Sequence, residues 1–268
     1  MDDPELRQQL EAAAIYEEFF VPALFHQWAP RMADAAGITP GQHVLDVACG
    51  TGVLARTIAE RVKPGGSVVG LDPNPGMLVV AARVSPDLEW QPGVAESLPY
   101  PDGSFDVVTC QFGLMFFADR TKALREMMRV LRPGGRLVVS VWDRLDRIPA
   151  YSILVALLQH RLGDRVADAL RGPFVLGDRE TLDRLLAAAG ISPLSIETQT
   201  GAAHYPSIRS WVLTDVKGWF PIVQVTVPEK DYDVLLADAE KALSPFVRPN
   251  GAVDFPITVH IVTAEARA

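Results

Sequence analysis

Cysteine is nearly missing from this chain: Cys49 and Cys110 are the only two in 268 residues. Two cysteines cannot build a disulfide framework, and a reducing cytoplasm is the expected setting. Long apolar runs are missing too. No stretch approaches the ~18 residues of a membrane helix, so no membrane span is expected. The opening Met1-Asp2-Asp3-Pro4-Glu5 is acidic and lacks the apolar core of a secretory signal. There is no dense Lys/Arg run, and the net charge is −8. Duplex binding draws much of its affinity from phosphate neutralisation, so nucleic acid is not expected as a partner. No metal is expected either. What is present suits a packed interior: 49% hydrophobic and 22% charged residues. The length fits one large α/β domain with an elaboration, or two small domains.

Strand and helix patterns alternate from Val44 to about Trp142. Val44–Ala48, Ser67–Leu71, Leu88–Gln91, Phe105–Cys110 and Arg136–Trp142 read as strands. Val53–Val62, Pro75–Val84 and Arg120–Leu131 read as amphipathic helices between them. Such alternation predicts a mostly parallel sheet covered by helices on both faces. Ahead of it, Glu5–Ala36 reads as helical with interruptions at Pro22 and Pro30, and carries Tyr16, Phe19, Phe20, Phe25 and Trp28. Behind it come helical stretches Tyr151–Leu162, Arg165–Leu170 and Arg179–Ala189. Ser192–Thr200 and Ile257–Ala264 are expected to form an antiparallel edge. The segment between, Pro206 to about Val247, is too long for a hairpin and reads as a helical cap. The organisation expected is an N-terminal helical lid (1–36), a core (37–205 and 248–268) and a cap insertion (206–247).

The segment with most chemical content is Val44-Leu45-Asp46-Val47-Ala48-Cys49-Gly50-Thr51-Gly52. A strand ends, two glycines turn the chain, and a helix starts. Glycine permits φ > 0 and close approach of a ligand to the backbone. A helix N-terminus adds free N–H groups and the positive end of its dipole. The glycines alone also fit the dinucleotide pattern G-x-G-x-x-A. Asp46 divides the readings. A carboxylate there sits badly beside a pyrophosphate and well beside a ligand that is cationic overall, with an ammonium and a sulfonium. Its plainer role would be to cap the loop. Asp72 ends the second strand, where an acid can accept both ribose hydroxyls. Dinucleotide enzymes share that acid, and it could instead cap the helix at Pro75, as could Asn74.

With Ala95-Glu96-Ser97-Leu98-Pro99-Tyr100, Phe105-Asp106-Val107-Val108 and Arg129-Val130-Leu131-Arg132-Pro133-Gly134-Gly135, these motifs stand in a characteristic order over residues 40–145. The chain thereby resembles class I S-adenosylmethionine-dependent methyltransferases, in the ubiquinone/menaquinone-biosynthesis-like, methyltransferase type 11 group. The resemblance implies a Rossmann-like doubly wound α/β sheet, mostly parallel with an antiparallel last strand, plus N-terminal helices and a helical cap. It implies S-adenosylmethionine as cofactor and a small, apolar or aromatic acceptor. Asp46, Ala48 and Gly50-Thr51-Gly52 would border the methionine and ribose parts. Asp72 would hold the ribose hydroxyls, Pro73 and Met77 would flank the adenine, and Ala95 and Glu96 would meet its edge. Val94 stands where relatives often carry an Asp for the adenine amino group. Gln111 and Phe112 would line the methyl-donor pocket. Apart from the resemblance, Tyr16, Phe20, Phe25 and Trp28 read equally as an aromatic lid over the cofactor or as anchors of the N-terminal helices on the core.

No catalytic base can be named. His26, His160 and His204 lie in regions that could close over the site, yet each reads first as an ordinary histidine. Cys49 has no activating His or Lys beside it and reads as a small packing residue. Trp211, Trp219 and Phe220 in the cap, with Ile148, Tyr151 and Leu154, are expected to complete an apolar acceptor pocket. Two rival readings share part of this pattern: an NAD(P)-dependent oxidoreductase, and a non-catalytic cofactor-binding or homodimer-forming protein that kept the fold.

Overall fold

A computed structural model describes residues 4–267; residues 1–3 and 268, at the ends of the expected lid and core, lie outside the described residues. Seven strands form one sheet: β1 (His43–Val47), β2 (Ser67–Asp72), β3 (Glu89–Pro92), β4 (Phe105–Gln111), β5 (Leu131–Trp142), β6 (Ser195–Tyr205) and β7 (Val253–Glu265). Their spatial order is β3-β2-β1-β4-β5-β7-β6. β1 to β5 pair in parallel, whereas β7 runs antiparallel to both of its neighbours. The inner parallel strands β1, β2 and β4 are largely buried, as strands covered on both faces must be, whereas β3 at the edge is partly exposed. The expected antiparallel edge is present, formed by β6 and β7. β7, last in sequence, lies inside the sheet, and β6 is the outer strand.

The helices between these strands are α3 (Val53–Arg61), α4 (Pro75–Val84) and α5 (Arg120–Arg129); α6 (Pro149–Leu162), α7 (Asp164–Arg171) and α8 (Arg179–Ala188) follow β5. Local chemistry sets their starts. The Asn74 side chain accepts from the amides of Gly76 and Met77 at the head of α4, with Pro75 at the first helical position. Asp119 and Asp178 cap α5 and α8 in the same way. β5 begins at Leu131, earlier than its apolar run. Leu131 pairs with Phe105, and the ladder then slips before Arg136 meets Val107. Arg132-Pro133-Gly134-Gly135 is therefore a bulge within the strand, which starts before the expected Arg136.

The N-terminal region is α1 (Pro4–Ile15), a π-helical stretch over Tyr16–Phe25, and α2 (Trp28–Ala36). Pro22 does not interrupt it. A proline inside an α-helix lacks a donor and crowds the preceding turn; the wider π-turn accommodates this, and the His26 amide bonds back to the Val21 carbonyl across 2.8 Å. Pro30 likewise falls within α2, in its first turn. The break lies between them, at His26 and Gln27. After β6 come α9 (Ile208–Thr214), a π-turn over Asp215–Trp219, α10 (Phe220–Ile222) and α11 (Tyr232–Ala242). No described helix is long and apolar enough to cross a membrane.

Candidate functional site

β1 is flanked by β2 on one side and β4 on the other, so the sheet order reverses there. Ligands of open α/β sheets bind beyond the carboxyl ends of the strands at such a reversal. The carboxyl ends of β1, β2, β4 and β5 deliver Asp46, Asp72, Gln111 and Trp142 to this edge.

Strand register explains the setting of Asp46. It lies opposite Thr109 of β4, whose hydroxyl donates to Asp46 Oδ1 across 2.9 Å. Asp46 Oδ2 is buried and has no hydrogen-bond partner. Burial pushes this carboxyl up to about 7, against the Thr109 bond. Asp72 accepts from the Gly50 amide at Oδ2 and from the Asn74 amide at Oδ1, both at 2.9 Å. Burial raises it to about 6 despite these bonds. Helix capping falls to Asn74, which leaves Asp72 to the glycine loop. No ion pair reaches either acid among the described residues.

The loop needs its glycines. Gly50 has φ 55° and Gly52 φ 88°. A Cβ at Gly52 would run into the Trp90 ring, and one at Gly113 would meet the Ala48 side chain at 2.6 Å. Ala48 and Phe112 themselves adopt positive φ, at 54° and 56°. Backbone strain of this kind gathers at ligand sites. Thr51 is fully buried and its hydroxyl is unpartnered; the Gln111 side-chain carbonyl is also an orphan.

Two cavities open on this edge. One is bordered by Ala48, Leu71, Pro73, Val94, Ala95 and Glu96, and on its far side by Phe116 to Asp119. Glu96 is committed there: its Oε1 accepts from the amides of Ala118 (2.9 Å) and Asp119 (3.2 Å). The second is aromatic, lined by Tyr16, Phe20, Phe25, Phe112, Phe116, Trp142, Tyr151, Phe174 and Trp219, with Asp215 as its one acid. Phe116 borders both. The Tyr16 ring lies against Gly50, 3.6 Å from where a Cβ would stand. Burial, reinforced by Asp72 and Glu17, holds the Tyr16 phenol well above its ordinary value.

The candidate residues are thus largely brought together, with exceptions. Met77 packs with Ala13 and Val80 beneath Tyr16 and does not line either cavity. Trp28, Trp211 and Phe220 are fully buried behind the aromatic wall, as are Ile148 and Leu154. Trp28 meets Phe112 and Trp142 edge-on. His26, His160 and His204 are exposed and line neither cavity. Burial raises the Cys49 thiol well above its usual range, the opposite of an activated nucleophile. Sequence reasoning missed Trp142 as Phe112's stacking partner, at 3.8 Å and 6° between planes. It also missed Trp90 and Asp215. For Asp215 a signal existed: it is the one acid in the apolar stretch Ile208–Phe220.

The pattern of the ubiE/COQ5 methyltransferase family matches residues 23–204, ending before the cap helices. A demethylmenaquinone methyltransferase of Renibacterium salmoninarum is 47% identical over 136 residues, covering 51% of this chain and 56% of that protein. A ubiquinone/menaquinone biosynthesis C-methyltransferase of Edwardsiella ictaluri is 35% identical over 190 residues, covering 65% of this chain and 76% of its own length. The fold is that of the YcgJ protein from Bacillus subtilis, with TM-score 0.62 and 22% identity over 91% of this chain and 99% of that one. A putative methyltransferase from Bacillus halodurans gives TM-score 0.62 and 20% identity, covering 90% and 99%.

Proposed function

This chain belongs to the ubiE/COQ5 methyltransferase family, and from that premise we propose that its glycine-loop edge binds S-adenosylmethionine and that the aromatic cavity receives a small quinol- or phenol-like acceptor. The observation that carries this reading is the pair of buried acids, Asp46 and Asp72, flanking the Gly50–Gly52 turn, neither of them ion-paired among the described residues. Two unpaired acids disfavour a pyrophosphate and favour a ligand bearing an ammonium and a sulfonium. The orphaned oxygens of Asp46, Thr51 and Gln111 ask for the polar partners that such a ligand brings. A nicotinamide cofactor fits these acids poorly.

Asp72 would hold the ribose hydroxyls, and Asp46 with the Gly50–Gly52 backbone would face the methionine end. Pro73 and the Ala95 backbone would border the adenine. Glu96, already bonded to two amides, would shape that cavity rather than donate to or accept from the ligand freely. When bound, the cofactor supplies a methyl group already activated on sulfonium, so the chain's task is alignment and exclusion of water. Phe112, stacked on Trp142, and the rings of Tyr16, Phe20 and Phe25 give a dry wall at the junction of the cavities. Tyr16 lies over Gly50, so the described residues 4–36 of the expected lid act as one and must shift for the donor to enter. Residues 206–247 act as the cap that closes the acceptor side.

The relatives' names point to methylation at carbon of a quinone precursor, and an aromatic wall suits such a ring. Calorimetric titration with S-adenosylmethionine, S-adenosylhomocysteine and NAD tests the cofactor. Transfer of a labelled methyl group to a panel of quinols, phenols and amines tests the reaction. Heat with NAD and none with S-adenosylmethionine would sink the reading.

A further inference from the structure

The wall of the aromatic cavity carries a single charged-type side chain, Asp215. Its position follows from the sequence. On a helical path Asp215 shares a face with Trp211, Val212 and Trp219, and that face turns inward. An acid in the middle of an apolar stripe is buried with it: Asp215 is 2% exposed. Its Oδ2 has no hydrogen-bond partner. The indole N–H of Trp211, four residues earlier, is near enough to favour the carboxylate but makes no bond of normal geometry. The neighbouring hydroxyls of Tyr151 and Tyr205 are paired with each other at 3.3 Å.

An unsatisfied carboxyl in an apolar wall is costly, and folding alone gives no reason to keep it. The backbone there is also unusual. Asp215 opens a π-turn, a feature that often marks functional sites. Gly218 in the same turn lets it pack against Ile15 and Phe20 of the lid region, since a Cβ would stand 2.7 Å from Ile15.

We propose that Asp215 is the polar anchor of the acceptor cavity, exchanging a hydrogen bond with a ring hydroxyl and so selecting hydroxylated aromatic acceptors over unsubstituted ones. The proposal rests on the acceptor role given above to this cavity, but it concerns binding and can be tested without turnover. Burial holds the carboxyl well above the carboxylate range, so it meets a neutral hydroxyl as a neutral acid, able both to donate and to accept. An ammonium-bearing acceptor would instead need the ionised form.

Binding is read from quenching of tryptophan fluorescence, because Trp142 and Trp219 line the cavity. The probes are 1-naphthol, naphthalene and 1-naphthylmethylamine. The wild type is expected to bind 1-naphthol about tenfold more tightly than naphthalene. Asp215→Leu abolishes that preference while leaving naphthalene affinity within twofold, and Asp215→Asn keeps most of it. Because the carboxyl is unpaired, Asp215→Leu should leave the melting temperature unchanged or raise it. Three results would overturn the proposal: a naphthol preference that survives Asp215→Leu, a wild-type preference for the amine, or a fall in melting temperature with equal loss of both neutral probes. S-adenosylmethionine titration of the same variants separates this from the cofactor assignment. A chain that binds naphthol selectively but not the cofactor refutes only the latter.

Discussion

The Gly50 amide donates to Asp72 Oδ2 across 2.9 Å, binding the first glycine of the β1 turn to the acid that ends β2. One carboxylate therefore shapes the loop and, in the proposed complex, would also hold the ribose. Asp72→Ala removes both functions, and affinity for S-adenosylmethionine should fall by about ten- to a hundredfold in calorimetry, the range for charge-assisted hydrogen bonds. Asp46→Asn, which keeps its bond to Thr109, should lose less. Equal affinity of wild type and Asp72→Ala would refute the assignment.

Asp46 also predicts a pH effect on stability. Its carboxyl stands at about 7 in the folded chain, against about 4 when unfolded. The folded state holds the proton more tightly, so this contribution is fully present below pH 4 and is lost as pH rises through 7. Asp46→Asn mimics the protonated form at every pH. The variant should match wild type at or below about pH 4, draw ahead as pH rises towards 7, and exceed it by a few kcal/mol in urea unfolding at pH 8. A gap that does not widen with pH would contradict the burial argument.

The same raised values govern donor binding. A cationic ligand favours the ionised forms of Asp46 and Asp72, whose folded values lie near 7 and 6. Affinity should rise from pH 5.5 to pH 8, with proton release on binding at pH 6 to 7. Titration in buffers of different ionisation enthalpy reads that release directly. Proton uptake instead would rule the model of two ionising acids out.

Gly52→Ala should be among the most damaging single changes. It forces a side chain onto φ 88° and into the Trp90 ring. A loss of at least about 2 kcal/mol is expected in chemical denaturation, together with loss of cofactor binding. Gly52→Ala with Trp90→Ala should recover part of the stability, since the ring contact goes and the dihedral cost stays.

Arg56 ties the N-terminal helical region, the proposed lid, to the loop: Nη2 pairs with Glu17 across 2.8 Å and Nη1 donates to the Thr51 carbonyl across 2.5 Å. Arg56→Ala should speed hydrogen exchange over residues 4–25 and raise the association rate of the cofactor several-fold. Unchanged exchange in that segment would show that the aromatic contacts of Tyr16 and Phe20 hold the lid unaided.

The legible part of this molecule was the part encoded locally. β1, the glycine turn and α3 lie within about twenty residues, and each step has a residue-level cause. Asp72 follows from the next strand end by the same logic. What escaped needs partners distant in sequence. Phe112 meets Trp142 only because β4 and β5 are neighbours. Met77 meets Ala13 only because α1 packs against α4. Pro22 was read as a break because a 3.6-residue period has no place for π-turns. Asp215 was visible as an anomaly in an apolar stretch, but its cavity is assembled from elements before, within and after the sheet, and spacing cannot supply that.

The interior position of β7 bears on how the chain comes to be folded on the ribosome. β5 and β6 are synthesised well before residue 253, yet neither pairs with the other; both pair with β7. Until β7 emerges, β5 presents an open parallel-sheet edge and β6 has no partner strand. A nascent chain halted before Val253 should therefore expose a templating edge and need shielding by a chaperone, while the half-sheet β3-β2-β1-β4-β5 is already complete in sequence. Arrest experiments with stalls placed before and after β7 would reveal a late, single closing step rather than gradual compaction.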